Sequence, residues 1–391
     1  MIRLSGSRWR RLGWILWMPL ACGHFVPPEL APGHAGGFDF KAPPCAPASR
    51  MSDPGAGPSV DAVDIRYLGT AGLYLEWQGV GVLTGPFFSR PTLGRVLFGH
   101  VRPRPDVVAQ ELAAVPVERV RAILVGHAHY DHLEDLPVVL REHTRRARLF
   151  ANASAKRLLF ADPDVYRRTI DVERWVGRWH RLIGDDGTPL PMRLMPLATS
   201  HAPQAGVVHY APGEVPAPVA RPWHELRHEA LRQGQPLAFL LDLLDPVDPD
   251  RVRFRLYYQD AASREGIGLP PPSVAEDGHG VDLAVLCMPS HHLAPGFPTY
   301  LLDALEPRHV LATHYDDFFR PLTRPIRFAP LLTNGRAASF LRQVAAAPMP
   351  PSGFSPPEGP VCGPSTEVYT MPLPREWLRF DIPTSGDEKR R

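Results

Sequence analysis

Lysine is almost missing from this chain: Lys41, Lys156 and Lys389 are the only three in 391 residues, so nearly all of the 43 Lys and Arg are arginine. That bias reads as a compositional habit rather than as a set of chosen guanidinium sites. Cysteine is scarce too, with Cys22, Cys45, Cys287 and Cys362 and no CxxC pair. This excludes a disulfide-rich scaffold and a thiolate zinc knuckle, and any metal chemistry falls to histidine. Neither charge sign dominates, since 43 basic side chains face 41 acidic ones for a net charge of +2, and no basic patch stands out. Nothing in the charge points to a nucleic-acid partner. Long apolar runs are also lacking. The longest near the amino terminus, residues 12–21, covers about ten residues where a membrane-spanning helix needs roughly twenty. Proline and glycine, in contrast, are plentiful at 47 and 32, and they crowd toward the two ends. With 44% hydrophobic residues the chain can bury a substantial core, so the middle is the folded unit.

The first 23 residues have the layout of an export signal: four arginines and no acid in MIRLSGSRWRR, the apolar LGWILWMPLA, then Cys22 and Gly23. Leu20-Ala21-Cys22-Gly23 has the form of a bacterial lipoprotein box with Pro19 out of pattern, which would attach the protein to a membrane through lipidated Cys22. Cleavage after Gly23 is the competing expectation, and initiation at Met18 or Met51, giving a cytoplasmic product, is a third. The expected localisation is the bacterial envelope, periplasmic or membrane-anchored. Residues 24–60 form a Pro/Gly-rich tether, residues 61–347 the folded domain, and 348–391 a Pro-rich extension in which EVYTM and EWLRFDI offer one more strand. Cys45 and Cys362 lie in the two ends and could pair after export, whereas Cys287 falls in a buried strand.

From Val63 the pattern is strand, glycine turn, strand: VDIRYLGTAGLYLEW, then VGVLTGPFF. ERVRAILV is a buried strand between two segments of helical spacing, DVVAQELAAV and LEDLPVVLREH. ARLFAN, MRLMPLATS, LAFLLDLL, FRLYYQ, VDLAVLCM and RHVLAT are further strands, and FPTYLLDALEP and AASFLRQVAAA further helices. An α/β class follows. Segments 202–236 and 262–280 interrupt this alternation as long non-periodic loops, either of which could cap a site. The cluster Trp223 to His228 inside the first reads better as a packed amphipathic loop than as a substrate clamp.

The densest chemical signal is VGHAHYDH, which sets His127, His129, Asp131 and His132 directly after AILV. Four metal-ligand side chains in six residues cannot point one way from a regular element, but a tight loop can splay alternate ones toward two neighbouring ions. His201 follows MRLMPLATS, Asp260 follows FRLYYQ, and His314 follows RHVLAT, each at the carboxyl end of an apolar strand. Strand ends of shared orientation converge on one rim, where open α/β sheets place their ligands. Five histidines and two aspartates would then meet.

HAHYDH matches without a gap the HxHxDH signature of the metallo-β-lactamase-fold hydrolases, and the chain resembles them from about Asp64 to Arg320. The resemblance implies a four-layer αββα sandwich with a dinuclear site. His127, His129 and His201 fall on the ligands of the first metal, Asp131, His132 and His314 on those of the second, and Asp260 on the bridging carboxylate. The wording HYDHL, the opening IRYLGTAGLYLEW and the closing LATHYDDFF look most like the branch of N-acylphosphatidylethanolamine phospholipase D and the ascorbate-6-phosphate lactonase-like proteins. Two positions depart: Gly85 stands where relatives often carry Asp, and Gln259 where Gly is common.

Imidazole and carboxylate without thiolate suit two divalent ions, Zn²⁺ first, with Mn²⁺ or Fe²⁺ as alternatives. A water shared by two ions about 3.5–4 Å apart is a hydroxide near neutral pH, and Asp131 could orient it. His291 and His292, in CMPSHHLAPG, stand at another strand end, and His292 is the expected general acid. The expectation is a dinuclear hydrolase of a phosphodiester, ester or lactone, on a small-molecule or lipid substrate. The alternative is a catalytically silent, envelope-tethered binding or scaffold protein on the same fold. A diiron oxidoreductase needs a flavin domain that is not here, and nucleic-acid processing relatives carry an insertion and basic patches that the sequence does not show.

Overall fold

A computed structural model describes residues 50–51, 62–204, 206–329, 336–347, 367–369, 374–375 and 377–382. The proposed signal, Cys22, Cys45 and Cys362 lie outside these residues, as does the proposed tether except for Arg50 and Met51, which form a short strand paired with Leu378 and Trp377 instead of free linker. Fifteen strands follow one another as β1 (Arg50–Met51), β2 (Ala62–Gly69), β3 (Gly72–Trp77), β4 (Val80–Thr84) and β5 (Val120–Leu124). Next come β6 (Arg148–Ala151), β7 (Thr169–Asp171), β8 (His180–Ile183), β9 (Pro189–Ala198) and β10 (Leu237–Leu244). The last five are β11 (Val252–Gln259), β12 (Leu283–Cys287), β13 (His309–Thr313), β14 (Glu367–Tyr369) and β15 (Trp377–Asp381). The helices are α1 (Leu93–Phe98), α2 (Pro105–Leu112), α3 (Tyr130–Leu133), α4 (Leu136–Val138), α5 (Ala153–Leu158), α6 (Pro163–Arg168), α7 (Thr299–Leu305) and α8 (Ala337–Ala345). Among the described residues no helix is long and apolar enough to cross a membrane.

The strands form two mixed sheets, ordered β1-β15-β2-β3-β4-β5-β6-β7 and β14-β13-β12-β11-β10-β9-β8. Alternation along the first sheet sorts its side chains to two faces. Leu73, Leu75, Trp77, Val82, Ala122 and Leu124 join one buried cluster with Met192, Phe239 and Val285 of the second sheet. Tyr74, Leu83, Ile123 and Leu149 face the other way, onto Val96, Val108, Leu133 and Leu158 of the helices. Phe340 of α8 and Leu301 and Leu302 of α7 pack on the second sheet. The result is the αββα metallo-β-lactamase fold. The carboxyl-terminal segment contributes more than the single expected strand: β15 pairs with β2 and β14 with β13, so it extends both sheets.

Strand direction decides where the site falls. In the second sheet β9 and β11 each run antiparallel to β10, while β11, β12 and β13 are mutually parallel. The carboxyl ends of β9, β11 and β13 therefore share a rim, although the sheet is mixed. From the first sheet, β5 delivers the HAHYDH loop to it.

Candidate metal centre

Gly126 begins the loop after β5. Its N–H donates to Asp260 Oδ2 at 2.9 Å, and a Cβ here would lie 2.6 Å from the Leu237 carbonyl oxygen and closer still to Asp260 Oδ1. Only glycine lets the loop approach β10 and the end of β11 this closely. His129 then stands before α3, whose short turn carries Asp131 and His132 inward.

The structure brings all seven candidate ligands together. His127, His129 and His201 offer nitrogens that lie within 4.8 Å of one another, and a carboxylate oxygen of Asp131 lies equally close to nitrogens of His132 and His314. A third group, His127, His132 and Asp260, draws one histidine from each. Asp260 Oδ1 is 3.0 Å from His127 Nδ1, and its Oδ2 is 3.5 Å from His132 Nδ1. Asp131 Oδ2 lies 3.2 Å from His314 Nε2 and 3.5 Å from His132 Nε2. His201 Nδ1 bonds the Ala202 carbonyl at 2.6 Å, which leaves Nε2 for the cluster.

This donor set fits divalent ions. His127 Nε2, His129 Nε2 and both ring nitrogens of His132 are buried without a hydrogen-bond partner, a costly condition that coordination would relieve. The charge states agree at five of the seven; at His314 burial is outweighed by Asp131, which raises its pKa. Burial, helped by the facing His127, holds His132 and His201 in the neutral form a metal needs, with pKa values lowered to about 4 and about 3. Burial and the neighbouring His127 and His201 lower His129 in the same way. Burial opposes ionisation of Asp260, yet His127 and His132 outweigh it and bring its pKa to about 2. Asp131 is likewise held well below the usual carboxylate range against burial, by His132 and His314.

None of the three metal-ligand groups includes His292. Ser290 takes a left-handed conformation, φ 59°, and turns the chain into a short 3₁₀ segment, His291–Leu293. The His292 ring is exposed with its centroid 5.7 Å from that of His291, and His291 in turn packs on Phe340 of α8 at 5.4 Å. The general-acid role expected of His292 has no geometric support.

Several residues that matter here escaped the sequence reading. From the 202–236 loop, Tyr210 sets its ring 6.0 Å from both His129 and Tyr130, and Gln204 places Nε2 3.3 Å from His201 Nδ1 while its Oε1 accepts from the Tyr210 N–H at 2.8 Å. That loop is fastened under α3: buried His228 lies 3.3 Å from Glu134, and Trp223 Nε1 donates to the Glu134 carbonyl at 3.1 Å. The Trp223 to His228 cluster is therefore packed, as expected. Asp135 caps the 88–89 turn by accepting from Phe88 N at 2.6 Å, Ser89 N at 2.8 Å and Ser89 Oγ. Behind His314, buried Asp316 accepts from Thr70 N and Tyr67 Oη and pairs with Arg90 at 2.6 Å. The signal available was adjacency, since Glu134 and Asp135 follow HAHYDH directly and Asp316 sits two past His314.

Both departures acquire a meaning. A side chain at Gly85 would start 3.1 Å from His132 Nδ1, so glycine leaves the space beside that nitrogen open. Gln259 accepts from Tyr257 Oη at 2.6 Å and donates to Ala261 O and Ser263 Oγ, which pins the loop after Asp260.

Residues 99–211, which include the HAHYDH loop, match the family model described as a beta-lactamase superfamily domain. No curated protein sequence matches the chain. Similar solved structures include Igni18, a metallo hydrolase from the archaeon Ignicoccus hospitalis, at 14% identity over 82% of this chain and 100% of that one, TM-score 0.43. The metallo-beta-lactamase fold protein YhfI from Bacillus subtilis is 13% identical over 65% of this chain and 86% of its own, TM-score 0.38. CmlA, a diiron beta-hydroxylase from Streptomyces venezuelae, is 17% identical over 66% of this chain and 45% of its own, TM-score 0.36.

Proposed function

We propose that this protein is a metal-dependent hydrolase that holds two divalent ions, Zn²⁺ first among them, and cleaves a phosphodiester, ester or lactone. The observation that carries this reading is the convergence of seven side chains from four segments on one buried rim, with His129, His132 and His201 held neutral and both aspartates ionised. His127, His129 and His201 would hold one ion, Asp131, His132 and His314 the other, and Asp260, which reaches a histidine of each group, would bridge them. Such ions, when bound, supply a low-pKa water and a Lewis acid at one place.

The chain's own residues do the rest. Asp131, kept ionised by its histidine neighbours, is a hydrogen-bond acceptor and cannot serve as an acid near neutral pH. Burial and the nearby Asp131 raise the Tyr210 phenol above its ordinary value, so it keeps its proton, and its hydroxyl lies 3.5 Å from the Val96 carbonyl. Tyr210 and Gln204, carried by the 202–236 loop, orient whatever enters. An exported chain anchored at Cys22 makes a lipid-derived ester or phosphodiester the first substrate to try.

The test is a screen of the full chain against bis-p-nitrophenyl phosphate, p-nitrophenyl esters and simple lactones, with added Zn²⁺ or Mn²⁺. The reading expects turnover that chelator abolishes and that His129→Ala lowers by at least about 10²-fold. A fully metallated chain inert to all three classes favours the silent scaffold instead.

A further inference from the structure

The sequence contains no long basic run, but the fold builds one from two short ones. RRAR, residues 145–148, leads into β6, and Arg167 and Arg168 end α6 just before β7. Strands β6 and β7 are parallel with Leu149 opposite Thr169, so both arginine groups emerge side by side at the amino ends of neighbouring strands. Between them lies an open cavity of about 410 Å³ lined by Arg145, Arg146, Arg148, Arg167 and Arg168 together with Asp185. Its wall carries five guanidinium groups and one carboxylate.

These cations are unequally compensated. Arg146 pairs with Asp185 at 2.9 Å and Asp186 at 3.6 Å, and Arg167 and Arg168 share Asp164 at 3.6 and 2.7 Å. Arg168 is also locked in place by the carbonyls of Leu140 and Thr144, with its buried Nε left unpartnered. Arg145 and Arg148 have no carboxylate partner among the described residues. Five cations gathered around one open cavity repel one another, and a bound anion relieves that repulsion. Planar guanidinium forks match phosphate oxygens in pairs.

We propose that this cavity binds a phosphate group, free or on the headgroup of an acidic lipid. It does not belong to the metal rim. β5, β6 and β7 run parallel, and the HAHYDH loop leaves the carboxyl end of β5 while the arginines stand at the amino ends of β6 and β7. Occupant and substrate sit at opposite ends of the sheet, so the site serves attachment or control rather than turnover, and it stands whether or not the hydrolase reading does.

The experiment is calorimetric titration of the metal-loaded full chain with inorganic phosphate, in His129→Ala and in the same variant carrying Arg145→Gln and Arg148→Gln. The His129→Ala background removes phosphate bound at the metal rim from the comparison. Saturable binding that survives His129→Ala and weakens at least about tenfold when the two arginines are lost is the expected result. Arg145 is exposed and Arg148 half-buried, so folding should survive, and circular dichroism checks it. Co-sedimentation with phosphatidylcholine vesicles, with and without phosphatidylglycerol, identifies the source. Arginine-dependent capture by the acidic vesicles assigns a headgroup, and phosphate binding without capture assigns a free anion. Phosphate binding that disappears in His129→Ala, binding indifferent to both arginines, or no binding to phosphate or vesicles overturns the proposal.

Discussion

Glu134 Oε2 lies 3.3 Å from His228 Nε2, with both side chains sealed from solvent, and this contact ties the 202–236 loop to the helix that presents Asp131 and His132. Glu134 Oε1 also accepts from the Arg102 N–H at 2.9 Å, so one carboxylate holds two segments. Removing one partner of a buried, hydrogen-bonded pair leaves the other unsatisfied, at a cost of about 1–3 kcal/mol. Glu134→Ala should therefore lower stability in urea by that order and open residues 206–232 to protease before the sheets unfold. His228→Ala should do the same, and the double variant should fall short of the sum, because the two share one interaction.

Asp316 gives a prediction in pH. Burial opposes its ionisation, but Arg90, the Tyr67 hydroxyl and the Thr70 N–H prevail and depress its pKa below the ordinary carboxylate value. The folded state therefore binds fewer protons than the unfolded chain near that value, and the contribution of Asp316 is complete above about pH 4 and lost as pH falls through the folded pKa. Asp316→Asn should cost about 3–5 kcal/mol at pH 7, and the gap to the unmodified chain should narrow steadily below about pH 4. Paired denaturation curves of the metal-stripped proteins at the two pH values check this. A gap that is independent of pH would count against an ionised Asp316.

The ligand set was legible because its members are chemically conspicuous and stand at strand ends. HAHYDH after AILV, and single residues after MRLMPLATS, FRLYYQ and RHVLAT, need only strand direction to converge, and antiparallel β10 leaves β9 and β11 aligned. The long strands and the helices at 299–305 and 337–345 were equally readable from apolar period. What the sequence concealed depends on tertiary approach. β7 and β8 are three and four residues long and half-buried, too short to show alternation. Glu134 and Asp135 read as ordinary polar residues of a helix until the chain brings His228 and Ser89 against them. His292 follows a left-handed Ser290 that no spacing rule registers, and it belongs to none of the metal-ligand groups. The arginine cavity required knowing that β6 and β7 are neighbours.

Gly126 tests how tightly the loop is held. Gly126→Ala should push Asp260 and the Leu237 carbonyl aside while leaving both sheets intact. We expect metal affinity to drop about 10–100-fold, as it does when groups that orient ligands are disturbed, with an unchanged far-ultraviolet spectrum. Competition with a chromophoric chelator measures it. Unaltered affinity would mean that Asp260 does not take part in binding the ions.

The most direct measurement is the metal content of the purified full chain after equilibration with Zn²⁺ and removal of the excess. Two groups of three ligands with a shared carboxylate predict about two ions per chain in the unmodified protein. His129→Ala and Asp260→Ala, each folded by circular dichroism, should hold fewer. A chain that retains no divalent ion, or variants that retain as many as the parent, would contradict the account.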